Sequence, residues 1–172
     1  LATHKKRQAK GKVRLGRIAT MVRANRKAAS LTLTGAAPQM LWGTQAVGIA
    51  PSRMRSLRSS YAFAAGIQTR GRCTTTAIAL RYGVDKDPAV AQPLLLLLEY
   101  IQMWLACPAL QQGIRDVWPG LVAQHSPKPL WRKVHGPIGA VVATWIQNGW
   151  APVAPDYFID PDGGRWEIQE GP

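Results

Sequence analysis

The sequence predicts a mainly α-helical fold, a short helical bundle that ends in a C-terminal β-hairpin. Apolar residues recur at helical spacing, prolines and glycines fall where helices begin and end, and an alternating stretch near the C-terminus flanks a Pro-Asp-Gly-Gly turn. Of the 172 residues, 47% are hydrophobic, which argues against general disorder. We divide the chain into a basic arm and helix (1–33), a helical body (34–150) and a C-terminal hairpin segment (151–172).

The first predicted element is a basic helix over residues 5–30. Its apolar side carries Leu15, Ile18, Val22 and Ala29. A neighbouring face carries Lys6, Arg7, Lys10, Arg14 and Arg17. Gly11 and Gly16 each weaken a helix by about 1 kcal/mol relative to Ala. We therefore expect a flexible arm before Gly16, a firm helix after it, and the end of the helix at "SLTLTG".

A neutral segment, residues 34–51, separates this helix from a second basic region, residues 53–72. Pro38 predicts the start of a helix, because the first helical residue needs no N–H, and Gly43 and Gly48 keep that helix short. We interpret the segment as a packed hinge. Its predicted anchors in the core are Met40, Leu41, Trp42, Val47 and Ile49.

Two further helices are predicted before residue 84. Pro51 opens the first of them. Its common apolar face is Met54, Leu57, Tyr61 and Ala64. The second helix lies within "CTTTAIALRYG" and ends at Gly83.

The run "PLLLLLEYIQMWLACP" predicts the longest apolar helix. Asp87 and Pro88 start it, as an N-cap acid and a first-turn proline, and Pro93 is expected to kink it or to mark its true beginning. The predicted apolar stripe is Leu94, Leu97, Leu98, Ile101, Trp104 and Leu105. A membrane span requires about 20 consecutive apolar residues, and this shorter run is interrupted by Glu99 and Gln102. We therefore expect a buried core helix and no membrane.

A loop, a helix and a hairpin complete the prediction. "SPKPLWRKVHGP" is typical of a loop with a basic tip. The stripe that predicts the helix is Ile138, Val141, Val142, Trp145 and Ile146. That helix ends at Asn148-Gly149. Residues 157–159 are expected to pair with residues 166–168 across the turn.

Charge is divided unequally along the chain. Residues 1–84 contain 16 Lys or Arg and no acid, whereas residues 85–172 contain 6 basic and 9 acidic residues. Because phosphate neutralisation dominates nucleic-acid affinity, the first half predicts RNA or DNA as a partner, contacted through its backbone. A solubilising tail and an acid-free targeting peptide are the alternatives. We see no secretory signal and expect an intracellular protein, nuclear or cytoplasmic.

The sequence predicts no catalytic, metal or cofactor site. Cys73, Cys107 and the three histidines lack metal-ligand spacing, and no glycine-rich nucleotide loop is present. Two-metal phosphoryl transfer needs converging carboxylates, which the first 84 residues lack. Helix capping accounts for Asp85 and Asp87, and turn chemistry for Asp160 and Asp162. We therefore expect no enzyme activity and no small-molecule substrate for this segment.

The tryptophans are expected to serve mainly the core. Trp104 and Trp145 lie on apolar helix faces. Four others are near predicted loops, where they cap the core or stack on bases, and these are Trp42, Trp118, Trp131 and Trp150.

Three features follow one another: the basic helix, then "LTGAAPQMLWGTQAVGIAPSRMRSLRSSYAFAAG", then "AIALRYGVDKDPAVAQPLLLLLEYIQMW". This succession resembles the region just after the palm in reverse transcriptases of non-LTR retrotransposon type, and is most similar to retroelement-derived proteins of dinoflagellates. The resemblance covers residues 10–105. Its details are the aromatic-Gly pair Trp42-Gly43, an Arg-rich helix over 54–66 and a junction over 83–88.

The resemblance implies a thumb or connection role in a fragment of a longer RNA-directed DNA polymerase, with the catalytic aspartates upstream of Leu1. Such a segment holds a template–primer duplex by its phosphates. The predicted contact residues are Lys5, Lys6, Arg7, Lys10, Lys12, Arg14, Arg17, Arg23, Arg26, Lys27, Arg55 and Arg58. Two alternatives stay open: a stand-alone basic RNA-binding protein of ribosomal type, and a degenerate remnant without activity.

Overall fold

The computed structural model describes residues 2–67 and 71–169. Within these ranges the chain forms eight α-helices and a three-stranded antiparallel sheet, which confirms the predicted mainly α fold with a C-terminal hairpin. The helices are α1 (Ala2–Ala24), α2 (Ala37–Leu41), α3 (Thr44–Val47), α4 (Pro51–Ala64), α5 (Thr74–Tyr82), α6 (Pro88–Ala106), α7 (Pro108–His125) and α8 (Gly136–Gln147). The strands are β1 (Ala151–Ala154), β2 (Tyr157–Ile159) and β3 (Arg165–Glu167).

The chain separates into two compact units, each with its own core. Unit 1 consists of Leu1–Gly43 and Ile49–Gln92, and unit 2 of Thr44–Gly48 and Pro93–Pro172. These units cut across the predicted segments 1–33, 34–150 and 151–172. The physical reason is that the basic helix α1 packs against α2 and α4, so that it shares a core with helices predicted for the body.

Helix α1 is longer at its start than the sequence predicts. It runs unbroken through Gly11 and Gly16, so the expectation of a flexible arm before Gly16 is wrong. A Cβ at Gly11 would overlap the side chain of Met40 on α2, so close packing explains this glycine. The helix ends at Ala24, where extended Asn25 accepts a hydrogen bond from the Lys27 N–H.

The sequence "SLTLTG" had predicted an exit from the helical conformation. Instead, the stretch after Asn25 stays helical in short turns. A 3₁₀ turn over Arg26–Ser30 and a π-helical turn over Thr32–Ala36 lead directly into α2. Pro38 lies in the first turn of α2, close to its predicted place. Of the predicted anchors, Met40 is buried and Leu41 and Ile49 pack against the core of unit 1. Two of the anchor predictions are wrong, because Trp42 and Val47 are exposed.

Helices α4 and α5 agree with the sequence prediction. Pro51 opens α4, whose residues Leu57 and Tyr61 are buried against the apolar side of α1. Helix α5 ends at Gly83, whose φ of 96° favours glycine. These helices close the core of unit 1, in which the largest buried side chains are Leu15, Met40, Tyr61 and Ile78.

A buried ion pair joins three helices of unit 1. The Asp87 carboxylate accepts hydrogen bonds from Arg58 Nε at 2.8 Å and Arg58 Nη2 at 2.7 Å. It also accepts one from the Ala89 N–H at 2.9 Å, which confirms the predicted N-cap of α6. Arg58 Nη2 donates a further hydrogen bond to Thr75 Oγ1 on α5, at 2.7 Å. One carboxylate therefore fixes α4, α5 and the start of α6.

Helix α6 continues through Pro93 and buries a different face from the predicted one. Leu96, Tyr100 and Trp104 belong to the core of unit 2. Of the predicted stripe, Trp104 is buried and Leu97 and Leu105 pack against the core, whereas Leu94 and Leu98 are exposed. By length and composition alone α6 could cross a membrane, with a mean hydropathy of 1.4, and 22% of this apolar stretch is buried, less than the expectation of a buried core helix implies. Five successive leucines offer an apolar surface on every side, so their periodicity could not select the face.

The core of unit 2 is aromatic. Tyr100, Trp104, Trp118, Trp145 and Phe158 lie with neighbouring ring centroids 4.7–6.3 Å apart. Trp118 was expected near a loop but is buried on α7, a helix that the sequence analysis did not predict. The Tyr100 hydroxyl donates a hydrogen bond to the Pro155 carbonyl, and Trp118 Nε1 donates one to the Pro152 carbonyl. These bonds satisfy the polar ends of the buried rings.

The C-terminal sheet contains the predicted hairpin and one additional strand. Strand β2 pairs with β3 with Phe158 opposite Trp166, one position earlier on β3 than expected, and β1 adds to the other edge of β2. The Asp160 carboxylate accepts hydrogen bonds from the N–H groups of Asp162 and Gly164 and from Trp166 Nε1. The carboxylate of Asp160 therefore stabilises the turn, as the sequence analysis expected. Helix α8 ends at Gln147, before the predicted Asn148-Gly149 signal.

His125 ends α7 as a buried imidazole. Its Nδ1 accepts a hydrogen bond from the Leu130 N–H at 3.1 Å, and Gln124 Nε2 lies 3.4 Å from its Nε2. Burial, followed by the nearby charge of Lys133, lowers the pKa of His125 below its ordinary value. The folded protein therefore favours the neutral ring.

The two glycines of α1 provide a test of close packing. At either position Ala gains up to about 1 kcal/mol of helix stability over Gly. Because an added Cβ at Gly16 meets no atom within 4 Å, Gly16→Ala is expected to raise the free energy of unfolding. Gly11→Ala is expected to lower it by about 1–2 kcal/mol, because Met40 is buried and must be displaced. Urea denaturation measures both values, and equal stabilisation by the two variants would contradict this account.

The ion pair provides a second test. Asp87→Asn keeps an N-cap acceptor for α6 but leaves Arg58 without its counter-charge, so the free energy of unfolding is expected to fall by about 3 kcal/mol. The matched control is Asp85→Asn, since the Asp85–Lys86 pair is exposed. It is expected to change stability by less than about 0.5 kcal/mol. Similar values for both variants would show that the buried pair is dispensable.

The buried imidazole predicts a pH dependence. Because its folded pKa is lowered, His125 leaves stability unaffected above its unfolded pKa of 6.5, and stability falls as the pH drops from there through the folded pKa. His125→Asn retains an acceptor for the Leu130 N–H but cannot titrate, so it is expected to flatten the loss between about pH 7.5 and 5.5. Urea titrations across this range measure the slopes, and an unchanged slope in His125→Asn would reject the assignment.

Candidate nucleic-acid interface

Helix α1 presents a row of cations to solvent. Lys6, Lys10, Arg14 and Arg17, here called the cationic stripe, fall within a sector of about 80° at 100° per residue. All four side chains are exposed. Neighbours in the row are three or four residues apart, which places their Cβ atoms about 5–6 Å from each other. The stripe extends for about 16 Å along the helix.

The opposite side of α1 explains why the stripe faces outward. Leu15, Ile18 and Val22 are at most 6% exposed and pack into the core of unit 1. This packing fixes the rotation of the helix about its axis. The cations are therefore held in a row by the fold, without ion pairs of their own within the described residues.

Unit 1 has almost no negative charge with which to neutralise the stripe. Its sequence contains 17 Lys or Arg and two Asp, whereas unit 2 contains five Lys or Arg and seven acids. Both acids of unit 1 are already in ion pairs, Asp87 with Arg58 and Asp85 with Lys86. The acids of unit 1 therefore leave the positive charge of the stripe unneutralised.

Other predicted contact residues lie on a second flank of α1. Lys12 Nζ donates a hydrogen bond to Ser56 Oγ on α4 at 2.9 Å. Lys12 also lines a groove of about 170 Å³ together with Arg53, which the sequence prediction did not include. Arg55 is exposed on α4. At 100° per residue Lys12 lies about 120° from the nearest member of the stripe, Lys6. The exposed side between them carries the uncharged residues Ala9, Val13 and Thr20, so the predicted residues do not form one continuous surface.

A third group of cations surrounds a depression of about 540 Å³. Arg23 and Arg26 line it together with Arg81, which the sequence prediction missed. Arg81 Nε donates a hydrogen bond to the Ala65 carbonyl at 3.2 Å. No local signal separates Arg81 from other cations, since only the fold places it beside the end of α1. Lys27 is exposed close by in the chain.

Two predicted contact residues cannot be added to the interface. Arg58 is held by Asp87 and Thr75, so its guanidinium is already compensated and occupied. The side chain of Lys5 lies outside the described residues. The remaining ten stay predictions, now divided among three cationic surfaces.

Trp42 is an exposed aromatic residue at the start of the stripe. Its side chain is 68% exposed, and the Arg7 guanidinium lies 5.9 Å from the ring centroid. Trp42 has φ −56° and ψ 123° and is followed by Gly43 with φ 79°, angles that match a type II turn. This turn ends α2. The indole of Trp42 is exposed, whereas the sequence analysis had predicted this residue as an anchor in the core.

Potential catalytic side chains are sparse. No group of three His, Cys, Asp or Glu side chains within residues 2–67 and 71–169 is placed to hold a metal ion. Cys73 and Cys107 are free and exposed. Hydrogen bonds from Thr76 are the main cause that lowers the pKa of the Cys73 thiol at the start of α5.

Comparisons with protein-family models, with curated proteins and with solved structures found no match to this chain. The similarity to the post-palm region of retroelement reverse transcriptases therefore stays a prediction from the sequence.

Proposed function

We propose that unit 1 binds nucleic acid through its phosphate backbone, with the cationic stripe as the principal contact. The observation that carries this proposal is the row of four exposed cations on a rigid helix in a unit whose two acids are both paired. A linear polyanion with regularly spaced negative charges can pair with all four cations along the length of the stripe. Nucleic acid is the common biological partner of this kind.

The chemistry of the stripe favours positioning over base recognition. Its members are Lys and Arg, which contact phosphates and, at base edges, recognise only guanine, and it contains no Asn, Gln or Glu of the kind that read adenine or cytosine edges. Contacts to phosphates fix the orientation of a protein on its ligand without selecting a sequence. We therefore expect weak sequence preference and strong salt dependence.

The sequence resemblance extends this proposal to a role. In a retroelement reverse transcriptase, a basic helical unit after the palm would hold the template–primer duplex while other parts of a longer chain perform the synthesis. Two properties of unit 1 support this extension, its helical structure and its one-sided basic helix. In this proposal the segment itself is not catalytic.

The salt slope tests the proposal. Four phosphate contacts correspond to a slope of log K against log salt of about −3.6 on duplex DNA. We expect a variant with Gln at Lys6, Lys10, Arg14 and Arg17 to lose about 3–4 units of slope and most of its affinity. Fluorescence anisotropy with a labelled blunt duplex, titrated at several salt concentrations, measures both quantities.

A matched variant separates the stripe from net charge. The control variant carries Gln at four exposed residues of unit 2, namely Lys128, Arg132, Lys133 and Arg165. It lowers the net charge of +13 by four, as the stripe variant does. We expect this control to keep most of the wild-type slope. Equal losses of affinity and slope in the two variants would show that binding depends on net charge and not on the stripe. A loss in the control variant alone would place the contact in unit 2.

A further inference from the structure

Trp42 is placed to meet a ligand that lies on the stripe. Arg7, which contacts its ring, precedes Lys10 by three residues and Arg14 by seven, so all three share one side of α1. The indole therefore continues the row of cations at its N-terminal end.

The exposure of this ring is unusual for tryptophan. Large aromatic side chains are mostly buried, because each removes a large apolar area from water. Trp42 instead remains 68% exposed with Arg7 against its ring. Trp42 lies in the turn that ends α2, which leads into Gly43.

The surroundings of the ring form a shallow depression. It is lined by Arg7, Pro38, Gln39 and Trp42. The Gln39 Oε1 atom is buried and has no hydrogen-bond partner within the described residues.

We propose that Trp42 and Arg7 form a stacking platform for one unpaired nucleobase. This inference rests on the proposed function and narrows its ligand to nucleic acid with a single-stranded segment or an unpaired end. The base stacks on the indole, Arg7 adds its charge at the ring, and the neighbouring phosphates lie along the stripe. Because every nucleobase has a π-face, the platform selects unpaired bases without selecting their sequence.

Charge favours a nucleobase over an apolar protein segment as the occupant. Arg7 lies against the ring, Lys10 and Arg14 follow it on the same side of α1, and unit 1 has no unpaired acid to offset these charges. A nucleotide combines the aromatic face that suits Trp42 with the negative charge that suits the stripe.

Three DNA probes test the platform with the full chain. One is a blunt duplex, the second carries an overhang of four thymidines, and the third carries an overhang of four abasic nucleotides with the same phosphates. We expect the wild-type protein to bind the thymidine overhang about 5- to 100-fold more tightly than the abasic overhang. In Trp42→Ala this ratio is expected to fall to about one, with the affinity for the blunt and abasic probes unchanged.

Two further variants complete the design. Trp42→Phe keeps a smaller aromatic face and is expected to retain part of the ratio. Trp166→Ala removes a tryptophan that is 53% exposed in unit 2, and is expected to retain all of it. Thermal unfolding verifies that the variants are folded.

The outcomes separate this inference from the proposed function. A wild-type ratio of about one, or a ratio that persists in Trp42→Ala, overturns the platform. In both cases salt-dependent binding of the blunt duplex through the stripe can still stand. If the wild-type protein binds none of the three probes, both proposals fall.

Discussion

The buried carboxylate of Asp87 is the constraint on which unit 1 depends. A charge taken out of water is costly unless it is paired and hydrogen-bonded. Here the two-nitrogen contact with Arg58 and the N–H of Ala89 meet that demand. Because Arg58 also reaches Thr75, the same carboxylate connects helices α4, α5 and α6 at one point. The interior of the unit therefore uses one of its two acids for architecture.

This use of acid leaves the outside of unit 1 almost entirely positive. With Asp87 engaged and Asp85 paired with Lys86, no carboxylate in the unit remains for α1. The basic helix is consequently held mainly by its apolar side, through Leu15, Ile18 and Val22. The four cations of the stripe lie away from this packed side and, under the proposed function, are the groups that contact a ligand.

Local signals in the sequence predicted the ends of helices, while the faces they bury depended on distant residues. Proline and glycine positions predicted α4 and α5 because their effect is confined to one turn. The requirement for Gly11 is set by Met40 on another helix, and helix propensity alone gave the opposite conclusion. The charge distribution predicted a cationic surface, but the fold divides it into three parts. The fold also pairs Arg58 with Asp87 and leaves Trp42 exposed beside Arg7.

The concentration of like charge on α1 has a consequence for the free protein. Neighbouring cations repel one another and oppose the compact state, and dissolved salt screens this repulsion over about 8 Å at physiological ionic strength. Rising ionic strength therefore stabilises the free fold. Under the proposed function, salt and a bound polyanion act as alternative counterions for the same helix, so that the free protein is least stable in dilute buffer.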